Sequence, residues 1–141
     1  MMENIKNSII GTCIKVTIDR PLGSCHPKYP DLYYPINYGY VDGVIAPDGE
    51  EQDAYILGVN EPLNEFCGRV IAVIHRLNDV EDKWVVAPDG LEYSAEDIEK
   101  AVDFQEKYFE YQIFLQKNKK TKKIFKNLLT NQKSCAIMYE L

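Results

Sequence analysis

Two short acidic stretches carry the residue types best suited to chemistry in this 141-residue chain. In Asp48-Gly-Glu-Glu-Gln-Asp53, the carboxylates of Asp48, Glu50 and Asp53 crowd into one turn that enters a strand. In Asp79-Val-Glu-Asp-Lys83, Asp79 and Glu81 share a face of extended chain, and Lys83 joins them at the next step of two. Two like charges ~4 Å apart repel by about 4 kcal/mol at an effective dielectric of about 20, so converging carboxylates need a compensating cation. Hard oxygen ligands suit Mg²⁺, with Mn²⁺ the alternative. Taken alone, each stretch reads more simply as a solvated polar turn. Two acidic turns at strand ends of one small barrel can nevertheless converge on one ion.

The aromatic stretch Tyr33-Tyr-Pro-Ile-Asn-Tyr-Gly-Tyr40 is the second unusual feature. Tyrosines at this density normally pack a sheet. A phenol is also a neutral hydrogen-bond donor to a phosphate oxygen, useful where a full charge would compete with metals. Arg20, Lys28, Arg76, Lys83 and Lys107 are the cations available to an anionic ligand. Ser24 and Ser94 lack a nearby histidine and acid, and there is no Gly-x-Ser-x-Gly elbow or glycine-rich phosphate loop. An enzyme built from these parts would use activated water as its attacking group.

The elements that must position these residues are mostly strands. From Ile10 to Asp19 the chain alternates strictly, with Thr12, Ile14, Val16 and Ile18 on one face and Asp19 at the wet end of the other. Pro21 and Gly23 break that strand, and the proline-rich 25–35 cannot be helical. Further strands are predicted near 36–45, 53–59, 69–75 and 83–87, bounded by Asp-Gly, Pro and Asn-Asp turn signals. Ala-Pro-Asp-Gly occurs twice, at 46–49 and 87–90. The first leads into the acidic stretch. The second leads to Ser94, a good N-cap followed by Glu96 and Asp97, with Asp89 expected to be exposed and mutable. Ala101, Phe104, Tyr108, Tyr111 and Leu115 recur at helical spacing and predict one long helix, with a further short helix possible at 124–129.

Charge is divided unevenly within the net −6: residues 1–115 hold nine Lys/Arg against 21 Asp/Glu, and residues 116–141 hold seven Lys against one Glu. The acidic body favours cations and argues against nucleic acid as a ligand. The lysine run of 117–123 reads as a solvated face. No apolar run approaches the ~20 residues of a membrane span, and no signal segment opens the chain, so a cytoplasmic, membrane-free protein is expected. Cys13, Cys25, Cys67 and Cys135 form no Cys-x-x-Cys pair and read as reduced thiols, some of them packed in the core.

Through Tyr34-Pro-Ile-Asn-Tyr-Gly-Tyr40, Asp48-Gly-Glu-Glu-Gln-Asp53, the strand 69–74 with its acidic turn, and Lys83-Trp-Val-Val-Ala-Pro88, the sequence resembles the family I soluble inorganic pyrophosphatases. The likeness runs from about Ile14 to Pro88, and Phe104-Gln-Glu-Lys-Tyr108 extends it loosely into the helix. It implies an α+β, mainly β fold: a small five-stranded OB-like antiparallel barrel with a long C-terminal helix packed on it. It further implies that Asp48, Asp53 and Asp79 or Glu81 hold catalytic Mg²⁺, with Glu50 standing where the family has an aspartate that acts as base. Asp53 shares that catalytic centre. Tyr38, Lys83 and Tyr108 match positions that face the phosphates, and Asp19 matches an acid at the site's edge. The sequence also departs from the family. A hairpin carrying phosphate-binding Lys and Arg is missing, leaving Arg20 and Lys28 to substitute. Asn78 stands where a metal-binding acid is expected, and Phe109 replaces a usual lysine.

The reading that follows is a barrel and helix over 1–115 with a basic tail or short helix over 116–141. Its function would be Mg²⁺-dependent hydrolysis of pyrophosphate, a small anionic substrate, by a homo-oligomer. Two alternatives stand beside it: the same mechanism on another phosphoanhydride or phosphoester, and a non-catalytic OB-like binding module.

Overall fold

The computed structural model describes residues 8–77 and 81–115, together with the backbone of 121–126 and 135–140. Five strands, β1 (Cys13–Arg20), β2 (Asn37–Ile45), β3 (Glu51–Ile56), β4 (Glu65–Arg76) and β5 (Asp82–Ala87), run in the order β1-β2-β3-β5-β4. Pairing of β1 with β4 closes the ring into a barrel. All neighbours are antiparallel except β3 and β5, which are parallel through Ala54–Trp84, Tyr55–Val85 and Ile56–Val86. The expected purely antiparallel barrel is therefore corrected to a mixed one, for a topological reason. Strand direction cannot alternate all the way round a closed ring of five.

Val16 and Ile18, Val41, Ala54 and Ile56, Val70, and Val86 are buried together, and every strand contributes to them. By the period of two these residues fill the barrel, while the alternate residues form its outer wall. Tyr38, Tyr55, Ile74 and Val85 of that wall pack with Ile98 and Val102 of helix α1 (Ala95–Glu106). Tyr34, Tyr38, Tyr55 and Phe104 stack edge-on or tilted, with centroids 5.0–5.9 Å apart. The tyrosine-rich motif thus builds the layer between barrel and helix. Its Asn37 is fully buried and ties two loops together, accepting from the backbone N–H of Leu22 and Leu63 and donating to Glu61 O. Gly39 lets β1 and β2 touch, since an added Cβ would lie 1.9 Å from the Thr17 carbonyl oxygen.

Helix α1 begins as expected, on a capping box in which Ser94 accepts from Asp97 N and the Asp97 side chain accepts from Ser94 N. It is short, however, and ends at Glu106. Tyr111–Phe114 forms β6, paired antiparallel with the far half of β4. All four of its residues are buried. The aromatic-rich sequence after Lys107 favours an extended chain covered on both faces, so tertiary pairing overrides the helical spacing. Ile124–Lys126, expected in a short helix, lie in β7 (Thr121–Lys126), which joins β6 and β8 (Cys135–Glu140) in an antiparallel extension of the sheet. Residues 127–129 lie outside the described residues. Cys13, Cys25 and Cys67 are free and exposed, so none of these three is among those expected to pack in the core, and the side chain of Cys135 lies outside the described residues. Among the described residues no helix is long and apolar enough to cross a membrane.

Candidate active site

Register brings the charged residues together. Tyr40 pairs with Asp53 and Tyr38 with Tyr55 across β2–β3, while Ile74 pairs with Lys83 and His75 with Asp82 across β4–β5. Tyr38, Asp53, Arg76 and Lys83 consequently share the outer wall beside α1. Between Ile18 and Arg20 the β1–β2 register shifts, and this bulge lets the consecutive residues Asp19 and Arg20 both reach the same region. All six line one cleft of about 1010 Å³, whose far side is formed by Phe104, Lys107, Tyr108 and Phe109.

The Lys83 ammonium is nearly fully buried and donates to Asp53 Oδ2 at 2.5 Å, with Glu81 Oε1 at 3.1 Å. Burial disfavours its charge, but the adjacent Tyr38 and Asp53 outweigh that and hold its pKa above the ordinary lysine value. Arg76 donates to both oxygens of the fully buried Glu106, at 3.0 and 2.8 Å, and to Glu81 Oε1 at 3.3 Å. Its guanidinium also sits 3.7 Å from the Phe109 ring centroid. Burial pushes the Tyr38 phenol well above the ordinary tyrosine value, keeping it a neutral donor. Burial likewise raises the Asp19 carboxyl, with Arg20 partly opposing and Asp53 adding to the rise.

Beneath the cleft runs one chain of hydrogen bonds. Arg20 donates to the Tyr34 hydroxyl at 2.7 Å, Tyr34 to Gln105 Oε1 at 2.8 Å, Gln105 to the Tyr55 hydroxyl at 2.7 Å, and Tyr55 to Glu106 Oε2 at 2.6 Å. From Glu106 it continues through Arg76 and Glu81 to Lys83 and Asp53. Donors and acceptors run in one sense from Arg20 to Glu106, so each bond polarises the next along a chain that becomes fully buried at Tyr55 and Glu106.

Of the residues expected to act, Asp53, Tyr38, Lys83, Tyr108 and Asp19 line the cleft, while Glu81 contacts Lys83 but is not among the lining residues. Asp48 and Glu50 stand in the exposed β2–β3 turn and are not among the lining residues. There, Asp48 Oδ1 accepts from Glu50 N at 2.9 Å. Lys28 is exposed and likewise absent from the lining, whereas Arg20 is part of it. Asn78 and Asp79 lie outside the described residues. Sequence reasoning missed Glu106 and Gln105. The signal for Glu106 was its place in the stripe Ile98, Val102, Glu106, which is buried throughout.

Among the described residues no group of three or more His, Cys, Asp or Glu is gathered so as to hold a metal ion. Asp53 and Glu81 nevertheless share one cation, the Lys83 ammonium, and Asp53 presents hard oxygen donors to the cleft. Mg²⁺ is commonly held by one or two carboxylates plus water and substrate phosphates, so this donor set fits it.

No protein-family model and no curated protein sequence matches the chain. Solved structures do. The chain is similar to an inorganic pyrophosphatase from Neisseria gonorrhoeae, with 21% identity, a TM-score of 0.53, and coverage of 70% of this chain and 78% of that one. For the Ehrlichia chaffeensis inorganic pyrophosphatase the figures are 20%, 0.54, 70% and 82%. For that of Helicobacter pylori they are 21%, 0.50, 72% and 77%. At these identities the likeness is one of fold.

Proposed function

We propose that this protein hydrolyses inorganic pyrophosphate to two phosphates with Mg²⁺ as cofactor. The observation that carries the reading is the convergence of Asp53, Lys83, Arg20 and Tyr38 in one cleft of a pyrophosphatase-type barrel, with Glu81 behind them on the Lys83 ammonium. Asp53 and Glu81 would hold the ion, with Asp48 and Asp79 as further ligands. When bound, Mg²⁺ supplies Lewis-acid polarisation of phosphoryl oxygens and acidifies water. Lys83, Arg20 and the neutral Tyr38 hydroxyl donate to phosphate oxygens and offset charge on the leaving group, and Tyr108 closes the outer side. Asp53, which lines the cleft, takes the proton of the attacking water, and Glu50 stands outside it in the exposed turn. The water oxygen bonds to one phosphorus, the bridging P–O bond breaks, and its electron pair leaves with the second phosphate.

The test is phosphate release from pyrophosphate by the purified chain with and without Mg²⁺. Activity that requires Mg²⁺ and falls at least about a hundredfold in Asp53→Asn is expected, the loss typical of removing a general base. Asp89→Asn is the control and retains activity, since Asp89 only pairs with Arg69 at the surface. A protein inert under saturating Mg²⁺ would refute the reading.

A further inference from the structure

The cleft is larger and more aromatic than pyrophosphate needs. Its roughly 1010 Å³ sits at the top of the range for sites that enclose drug-sized organic ligands, ~300–1,000 Å³. Pyrophosphate is only two phosphate tetrahedra sharing an oxygen. The charged groups Asp53, Lys83, Arg20 and Arg76 occupy one part of the lining, whereas Tyr29, Tyr33 and Tyr108 stand on the rim. These three tyrosines are 63%, 52% and 60% exposed. They make up half of the six large hydrophobic side chains exposed among the described residues, all gathered on one cleft.

The rim is also held in place. The segment between β1 and β2 folds back on itself through the bridge of Cys25 with Tyr33. Hydrogen bonds from His26 N to Leu32 O, Leu32 N to Tyr29 O and Tyr34 N to Ser24 O, each 2.9 Å, close it. The His26 ring accepts the backbone N–H of Lys28 at 3.0 Å and packs on Tyr29 at 4.9 Å between centroids. An exposed ring fixed before binding loses little entropy when a flat partner stacks on it. Lys107, which also lines the cleft, lies 5.5 Å from the centroid of Tyr108.

We infer that the cleft takes a second substrate class, nucleoside 5′-triphosphates, with the base stacked on Tyr29 and Tyr33 and the terminal anhydride at the Asp53–Lys83 floor. This rests on the hydrolase reading above. The step is the same: water oxygen bonds to the terminal phosphorus, the bond to the bridging oxygen breaks, and the electron pair stays on the leaving nucleoside diphosphate. The proton of the water passes to the site carboxylate and then to solvent. The products are nucleoside diphosphate and inorganic phosphate.

The experiment compares pyrophosphate, inorganic tripolyphosphate and ATP as substrates of the full chain with Mg²⁺, and measures binding of ATP and tripolyphosphate by calorimetry. Tripolyphosphate controls for chain length and charge without a base. The expected result is tighter binding and higher kcat/KM for ATP than for tripolyphosphate. In Tyr29→Ala/Tyr33→Ala the ATP advantage falls about tenfold to a hundredfold, the loss that removing base stacking causes. Tripolyphosphate turnover stays within twofold in the same variant. Equal handling of ATP and tripolyphosphate, or an ATP preference untouched by the double substitution, overturns the inference even if pyrophosphate is cleaved. If nothing is cleaved, the hydrolase reading fails by itself. ATP binding that the double substitution abolishes would then support the nucleotide class, and ATP binding no tighter than tripolyphosphate would sink it.

Discussion

Asp19 and Arg20 are sequence neighbours that ought to point apart, and only the bulge between Ile18 and Arg20 turns both toward the cleft. Lys28, an equally plausible cation on sequence grounds, is exposed and absent from the lining, whereas Arg20 is part of it. A bulge leaves no mark in a period-two pattern. The acidic stretch is divided by the fold: Asp53 lines the cleft while Asp48 and Glu50 stand in the exposed turn, a separation that composition alone does not show. Asp19 gives a prediction with a definite sign. Burial raises its carboxyl in the folded protein above the ordinary 3.8. Below that value both folded and unfolded states are protonated and the group costs nothing. As pH rises through and above it, the unfolded chain ionises first and stability falls. Asp19→Asn, which does not titrate, should therefore gain in Tm relative to the parent as pH rises from about 4 toward neutrality. A Tm difference constant over that range would contradict the assignment.

At the scale of elements, strands were read well and their directions were not. Alternation in β1 located Val16 and Ile18 in the core, and turn signals bounded the other four barrel strands. The parallel β3–β5 pair follows from closure, which no local pattern encodes. The helix shows the opposite failure. Its start was written in Ser94 and Asp97, but its end depends on β4 offering an edge to Tyr111–Phe114. A stripe of aromatic residues at helical spacing also fits a strand buried on both faces, and only the partner decides. Gly39 tests the tightest contact between elements. Its backbone demands no special φ, so Gly39→Ala acts purely by driving a methyl group into Thr17 O and Ile18 Cα. The strands must separate where Asp19 and Tyr38 are set, and stability should fall by at least the ~1–3 kcal/mol of an overpacked core. Urea denaturation reads this directly, and a loss under ~0.5 kcal/mol would mean the strands yield freely.

Across the whole molecule, the acidic body keeps its buried charges paired, and the pairing ties barrel to helix. Glu106 is the only described residue of α1 that is both charged and fully buried, and it is satisfied by Arg76 from β4 and Tyr55 from β3. Burial works against the Arg76 charge, and the contact with Glu106 more than compensates, keeping it cationic. Removing one partner strands the other, so Glu106→Ala should cost about 3–5 kcal/mol. Replacing the group together, in Glu106→Leu/Arg76→Met/Tyr55→Phe, removes both partners of Glu106 with it, leaving Gln105 without its Tyr55 acceptor and Glu81 without Arg76, and should recover most of that loss, because a well-packed apolar core of similar volume can equal a buried ion pair. Urea denaturation of the single and triple variants checks the difference, and a triple variant as unstable as Glu106→Ala would show that packing, not charge, is what Glu106 supplies. Activity should separate from stability here. Arg76 also holds Glu81, which in turn faces Lys83, so under the function proposed above the refolded triple variant should hydrolyse pyrophosphate more slowly than the parent. The network then belongs to the site as well as to the fold, since a stable core without it leaves Glu81 to be placed by Lys83 alone.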